Sequence, residues 1–197
     1  MTALFLVLIA SVVIIAVVVL SPVRASAHCD TLDGPAAQDG RRALETGNPN
    51  HALKWIDAGH EGELLEIFTL AKAARAHGQE AQQVADRWFL ENLVRIHRAG
   101  EGEPYTGLKP SDGSIDEKVL AADRCVETGT LRALDGLMPA ERLRQLEAPL
   151  ATVLAHRNYD VDDLDAGRAY VGAYVSFVKL AEGEEAGGHH VHAGHGH

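Results

Sequence analysis

An internal repeat divides most of the chain into two similar halves. The segment 42–47, Arg-Ala-Leu-Glu-Thr-Gly, returns at 124–129 as Arg-Cys-Val-Glu-Thr-Gly, and residues 85–90 align in the same way with residues 166–171. The offset is about 80 residues, which is longer than the period of solenoid repeats. Two copies of this length favour a closed bundle over an open array.

Both copies carry helical patterns, and no stretch alternates as a strand would. Apolar residues recur at the spacing of a buried helix face, as in Leu64, Ile67, Phe68 and Ala71. We predict helices near 35–46, 60–77, 79–99, 116–128, 139–156 and 162–182. The first has Asp33 as its expected N-cap residue and Gly47 just past its end. The predicted fold class is an all-α helical bundle, built from two homologous three-helix units.

The predicted helical domain covers residues 28–183, with units at 28–102 and 115–183. Residues 100–114 join them and are rich in Gly, Pro, Ser and Asp. This connection is longer than a plain helix–helix loop. Because it contains Tyr105 and Leu108, we expect an ordered flap that packs on the bundle.

The overall composition restricts the class of partner. The chain has 18 Lys and Arg residues against 28 Asp and Glu residues, so its formal net charge is −10. Without a long basic stripe, this balance argues against binding to nucleic acid. Self-association stays open, because the sequence carries no signal for or against a homo-oligomer.

Residues 1–27 have the pattern of an export segment. Residues 3–20 are apolar except for Ser11, and Pro22, Arg24 and the run Ala25-Ser26-Ala27 follow. This arrangement predicts a secretory signal peptide that is cut after Ala27. The apolar run also approaches the roughly 20 residues that span a bilayer, so retention as a membrane anchor is the alternative. In either case the remaining chain lies outside the cytoplasm.

Cleavage after Ala27 would make His28 the first residue and Cys29 the second. A free N-terminal histidine offers a metal its α-amine, its imidazole and the next backbone amide, and Cys29 adds a thiolate. Nitrogen and sulfur donors of this kind suit Cu(II) or Ni(II) better than Mg²⁺ or Ca²⁺. The sequence therefore predicts a copper or nickel site at His28 and Cys29.

The octet 28–35, His-Cys-Asp-Thr-Leu-Asp-Gly-Pro, resembles the start of an uncharacterised family of exported helical proteins. Members of that family also carry a stretch like residues 97–110, His-Arg-Ala-Gly-Glu-Gly-Glu-Pro-Tyr-Thr-Gly-Leu-Lys-Pro. The resemblance implies a helical fold and an extracytoplasmic location. The family is a domain of unknown function, so it implies no activity.

The same N-terminus is similar over a few residues to the metal-binding hook of nickel superoxide dismutase. The similarity covers His28, Cys29, Asp30 and Gly34, and it implies metal binding and superoxide-type redox chemistry. The second cysteine of that hook would fall at Asp33. A carboxylate there removes the dithiolate environment, which makes copper as suitable as nickel.

His97 is the best internal candidate for a further metal ligand. It follows Phe89 and Leu93 at steps of four, so it belongs to the buried face of its helix. The corresponding position in the second copy is Val178. A buried imidazole needs a partner, which is either a metal or a carbonyl oxygen in the last turn of its own helix.

The two cysteines, Cys29 and Cys125, offer a rival to the metal hypothesis. An exported protein tends not to keep two free thiols, so a Cys29–Cys125 disulfide is open. Under that alternative the protein is a structural or protein-binding bundle without a metal.

Residues 184–197 form a histidine-rich tail that we expect to be disordered. It holds five of the 11 histidines: His189, His190, His192, His195 and His197. Clustered imidazoles bind zinc, copper or nickel with little selectivity. A metal-sequestering or delivery protein acting through this tail is therefore the second functional hypothesis.

Overall fold

The computed structural model describes residues 28–111 and 115–183. The export segment 1–27 and the histidine-rich tail 184–197 lie outside the described residues, so the signal peptide and the disordered tail remain predictions. The described part is all-α, as the sequence predicted. Its order is α1 (Pro35–Thr46), α2 (Asn50–Leu53), a 3-10 turn (Ala58–His60), α3 (Glu61–Arg75), α4 (Gln79–Gly100), α5 (Glu117–Thr128), a second 3-10 turn (Leu131–Leu134), α6 (Ala140–His156) and α7 (Leu164–Glu182).

Two long helical hairpins form the body of the molecule. Helix α3 packs against α4, and α6 packs against α7. Helix α1 lies on α4 in the first half, and α5 lies on α7 in the second half. Each half thus has one helix before a long hairpin, although the first half also contains the short helix α2, and the interpretation as a duplicated unit rests on the sequence repeat.

The repeated Thr-Gly ends the first helix of each half. Gly47 and Gly129 adopt left-handed conformations, with φ of 76° and 71°. Their backbone N–H groups donate to the carbonyl oxygens of Ala43 and Cys125. A positive φ is favourable for glycine and strained for other residues, which explains why both copies end with glycine.

The expected N-cap at Asp33 is wrong. The N-cap residue of α1 is Gly34, and no side chain caps this helix. The Asp33 carboxylate instead lies beside Thr31 and Ser111, while its backbone carbonyl accepts a hydrogen bond from Gln38. The residue therefore ties the N-terminal segment to the loop before α5.

The core runs along the inner faces of both hairpins. Its largest fully buried side chains come from both halves and include Leu64, Phe89, Leu93, Val153 and Phe177. Cys125 is fully buried among them, as expected for a position occupied by Ala43 in the first copy. No helix within 28–111 and 115–183 is long and apolar enough to cross a membrane.

Candidate functional site at the N-terminal segment

Residues 28–34 form a short, tightly bonded segment that lies on the bundle. The Thr31 side chain and the Thr31 N–H both donate to the carbonyl oxygen of His28, and Gly34 N–H donates to Thr31. The loop after α4 pairs with this segment: Lys109 N–H donates to the Asp30 carbonyl at 2.7 Å. Leu108, in the same loop, is buried. The loop therefore holds His28 to Leu32 against the helices.

His28 is buried between helices of the second half. Its Nε2 atom lies 2.7 Å from Oδ2 of Asp123 on α5. The other oxygen of Asp123 accepts a 2.5 Å hydrogen bond from the Tyr174 hydroxyl on α7. Neither ring nitrogen of His28 has a hydrogen-bond partner among the described residues, so Nε2 contacts Asp123 as an ion pair and Nδ1 is buried without such a contact. The Asp123 carboxylate thus holds Nε2 in place, whereas Nδ1 could still donate or accept a hydrogen bond or bind a metal ion.

Cys29 lines a small pocket beside His28. Its walls include Glu101, which directly follows α4, and Tyr174 and Lys179 of α7. Burial raises the pKa of the Cys29 thiol well above its ordinary value, and the negative charges of nearby carboxylates raise it further. The thiol is therefore protonated at neutral pH unless a positive charge is placed beside it.

Charged groups at the C-terminal end of α4 lie beside this pocket. Arg98 is buried and lies 3.4 Å from Asp30 and 3.1 Å from Glu101. Lys179 of α7 lies 3.3 Å from the other oxygen of Glu101. Burial alone would raise the pKa of Glu101, but His97, Lys179 and Arg98 outweigh it and hold the pKa below its ordinary value. Glu101 is therefore an anchored carboxylate.

His97 is buried in α4, one turn before Glu101. Its Nδ1 atom lies 2.7 Å from the carbonyl oxygen of Trp55. Because a carbonyl oxygen can only accept, Nδ1 carries the proton of this hydrogen bond. The Nε2 atom is buried, makes no hydrogen bond within the part of the chain that the structure describes, and lies 3.7 Å from Glu101. The partner of His97 is thus a carbonyl from another segment, and not one in the last turn of its own helix.

The structure brings His28, Cys29 and His97 to the same end of the bundle. Glu101 and Asp30 act electrostatically on both Cys29 and His97. Even so, no three His, Cys, Asp or Glu side chains in the described ranges are arranged to hold a metal ion. A metal here would need main-chain nitrogens as additional donors.

The Cys29–Cys125 disulfide is not formed, since both cysteines are free thiols. The reason is their placement: the Cys125 thiol lies at the backbone of Ala133 and Leu134, whereas Cys29 faces the carboxylates of Glu101 and Asp30. The tail ligands His189, His190, His192, His195 and His197 lie outside the described residues.

Sequence reasoning missed Asp123 and Tyr174, which fix His28. Each lies in an ordinary helical pattern, so only the three-dimensional packing identifies it. Arg98 and Glu101 do stand in the stretch 97–110 that was singled out. Their closeness in sequence to His97, at the end of a predicted helix, could have indicated that they lie near it.

Comparison with known protein families assigns the chain to one of them. The model of a family of unknown function, DUF6448, matches residues 33–180. The chain belongs to this family. The match spans all seven helices up to Leu180 but begins after the His28–Leu32 segment. Searches of the curated proteins and of the solved structures found no match.

Proposed function

We propose that this DUF6448 member is an exported transition-metal-binding protein with a copper or nickel site at a processed His28–Cys29 terminus. The observation that carries the proposal is the buried His28 Nδ1 atom, which has no hydrogen-bond partner in residues 28–111 and 115–183 and shares a pocket with the partly buried thiol of Cys29. Buried polar atoms without partners are rare in native proteins and call for an explanation, of which an ion is one. Cleavage after Ala27 would add the α-amine and an adjacent amide as the missing donors.

The charge around Cys29 suits a cation. Glu101, Asp30 and Asp123 all disfavour a thiolate at this position, whereas Arg98 favours it. A divalent ion reverses that balance, because a coordinated thiol gives up its proton. The same carboxylates that resist the bare thiolate would then stabilise the bound cation.

The contacts that hold the rings of His28 and His97 also suit metal binding. Histidine ligands commonly hold one ring nitrogen through a carboxylate or a backbone carbonyl while the other binds the ion. Asp123 plays that part for His28, and the Trp55 carbonyl plays it for His97. Both contacts leave the second nitrogen of the ring buried and available. His97 would join the site only after a shift, since its Nε2 atom now faces Glu101.

Metal titration of the secreted, processed protein tests the proposal. With residues 184–197 deleted, we expect one equivalent of Cu(II) or Ni(II) and a thiolate-to-metal absorption band. Cys29→Ser should abolish the band, whereas Cys125→Ser, which changes a buried cysteine away from the pocket, should keep it. Equal stoichiometry and spectra in the parent and Cys29→Ser proteins would contradict the proposal.

Metal binding should weaken as the pH falls. The raised pKa of Cys29 means that the metal competes with a tightly held proton, and the α-amine must lose one too. Apparent affinity should fall about tenfold per pH unit for each displaced proton. Competition titrations between pH 6 and 8 would measure the slope, and a flat profile would exclude thiol and amine ligands.

Redox chemistry of the superoxide type is the activity that such a site would support. It requires the metal to cycle between two oxidation states, with the loop at 101–111 controlling access. Dismutation assays on copper-loaded and nickel-loaded protein test it directly. Inactivity with both metals would restrict the function to binding.

The density of histidines in the tail favours metal sequestration or delivery as a second candidate. Five histidines fall within residues 189–197. Deleting residues 184–197 separates the two candidates. Complete loss of bound metal would assign the function to the tail, and retention of one equivalent would assign it to His28 and Cys29.

A further inference from the structure

A series of aromatic rings leads from the Cys29 pocket toward the surface. The rings of Tyr159 and Tyr170 are 5.5 Å apart, and those of Tyr170 and Tyr174 are 6.3 Å apart. We call these three residues the aromatic ladder. The chain has only four tyrosines, so most of its phenolic rings belong to this one series.

The two ends of the ladder have different surroundings. Tyr174 is buried and lines the pocket that contains Cys29 and His28. Tyr159 lies in the turn before α7, where it is partly exposed. A path of neighbouring rings therefore connects a buried site with the solvent.

The charges beside Tyr159 and Tyr174 determine the direction in which an electron moves along the ladder. The Lys54 ammonium donates to the Tyr159 hydroxyl at 2.6 Å, and this positive charge makes loss of an electron from Tyr159 harder. Tyr174 instead donates to the Asp123 carboxylate at 2.5 Å. A nearby negative charge makes loss of an electron easier, and the carboxylate can accept the phenolic proton. Tyr174 is thus more easily oxidised than Tyr159.

We propose that the aromatic ladder is a one-electron relay that ends at Tyr174. When a one-electron oxidant removes an electron from Tyr159, Tyr174 supplies the replacement through Tyr170. The Tyr174 O–H proton passes to Asp123, leaving a neutral tyrosyl radical and a protonated carboxyl group. One electron reverses the step, and the proton returns from Asp123. The link to catalysis rests on the proposed redox site, but the relay itself does not.

Oxidation of metal-free protein by photogenerated tris-bipyridine ruthenium(III) tests the relay, with electron paramagnetic resonance after freezing as the readout. All variants carry Trp88→Phe, because Trp88 is exposed and lies outside the ladder. The parent should give a tyrosyl radical signal. Tyr174→Phe should remove most of it, and Tyr105→Phe, the one tyrosine outside the ladder, should leave it unchanged.

Tyr170→Phe provides a second test that leaves the hydrogen bond between Tyr174 and Asp123 in place. It breaks the path, so the Tyr174 signal should fall although Tyr174 is intact. Circular dichroism confirms that each variant is folded. A parental signal in both Tyr174→Phe and Tyr170→Phe would overturn the relay, as would an equal loss in Tyr105→Phe. Because no metal is present, such a failure would leave the metal-site proposal standing.

Discussion

Gly34 is the residue whose size matters most for the N-terminal segment. A Cβ atom at this position would lie 2.1 Å from the carbonyl oxygen of His28, which also accepts two hydrogen bonds from Thr31. The constraint is steric, since the backbone of Gly34 is ordinary extended chain with φ of −67°. A larger residue therefore requires the backbone of this segment to shift, which disturbs the placement of His28.

Gly34→Ala should therefore loosen the site. We expect a loss of about 1–3 kcal/mol in the free energy of unfolding, the usual range for overpacking, and faster reaction of Cys29 with a thiol reagent. Gly62→Ala is the matched control, because no atom lies within 4 Å of the added carbon. Equal thiol reactivity in the two variants would contradict the packing argument.

Glu101 should make stability depend on acid pH. Its pKa in the folded protein is below the ordinary value of 4.5, so its stabilising effect is complete above pH 4.5 and is lost as the pH falls through the folded value. Glu101→Gln should cost about 2 kcal/mol at pH 7, as expected for hydrogen bonds to charged partners. Denaturation between pH 7 and 3 should show this difference narrowing. Exposed Glu141→Gln is the control, and a constant difference for Glu101 would refute its assigned role.

The sequence predicts only part of the candidate site, because the contacts of His97 and His28 involve residues that are distant along the chain. His97 could be predicted as buried and partnered, because its helical spacing shows the face on which it lies. Its true partner, the carbonyl of Trp55, belongs to a segment 42 residues earlier. Asp123 likewise contacts His28 across a distance that no local pattern encodes. Periodicity predicts which side chains are buried, whereas the contacts between them depend on packing.

At the scale of the elements, Lys54 joins three parts of the fold. Its ammonium lies 2.8 Å from Asp39 on α1 and 2.6 Å from the Tyr159 hydroxyl before α7. Asp39 also accepts a hydrogen bond from Trp55. Lys54 is buried, and its hydrogen bond to Tyr159 links the first half of the chain to the second.

Removing one partner of that pair should be costly. Lys54→Met leaves the Asp39 charge without its cation, and we expect a loss of about 3 kcal/mol, the lower end for a broken buried ion pair. The double variant Lys54→Met with Asp39→Asn should recover part of this loss. A double-mutant cycle measured by denaturant unfolding would check it, and simple additivity would mean that the two groups do not interact.

The helices themselves were well predicted, and local chemistry explains the success. Helix α1 has the predicted limits because glycine at 47 allows the left-handed turn that ends it. Helix α4 ends one residue beyond the predicted 99. The failure at Asp33 has the opposite origin: its side chain is drawn toward Ser111 in a distant loop.

At the scale of the whole molecule, the candidate site depends on both halves. Helix α4 supplies His97 and Arg98, its C-cap residue is Glu101, and α5 and α7 supply Asp123 and Tyr174. The N-terminal segment crosses between them and is covered by the loop at 101–111. A site of this kind exists only in the assembled bundle, which is why neither copy of the repeat predicts it alone.

The central claim is that a processed terminus binds one copper or nickel ion. Native mass spectrometry of the secreted protein measures the first residue and the bound metal together. We predict a chain that begins at His28 and, after deletion of residues 184–197, keeps one metal ion, which Cys29→Ser loses and Cys125→Ser keeps. A chain that still begins at Met1, or a processed chain that binds no metal once the tail is removed, would contradict the account.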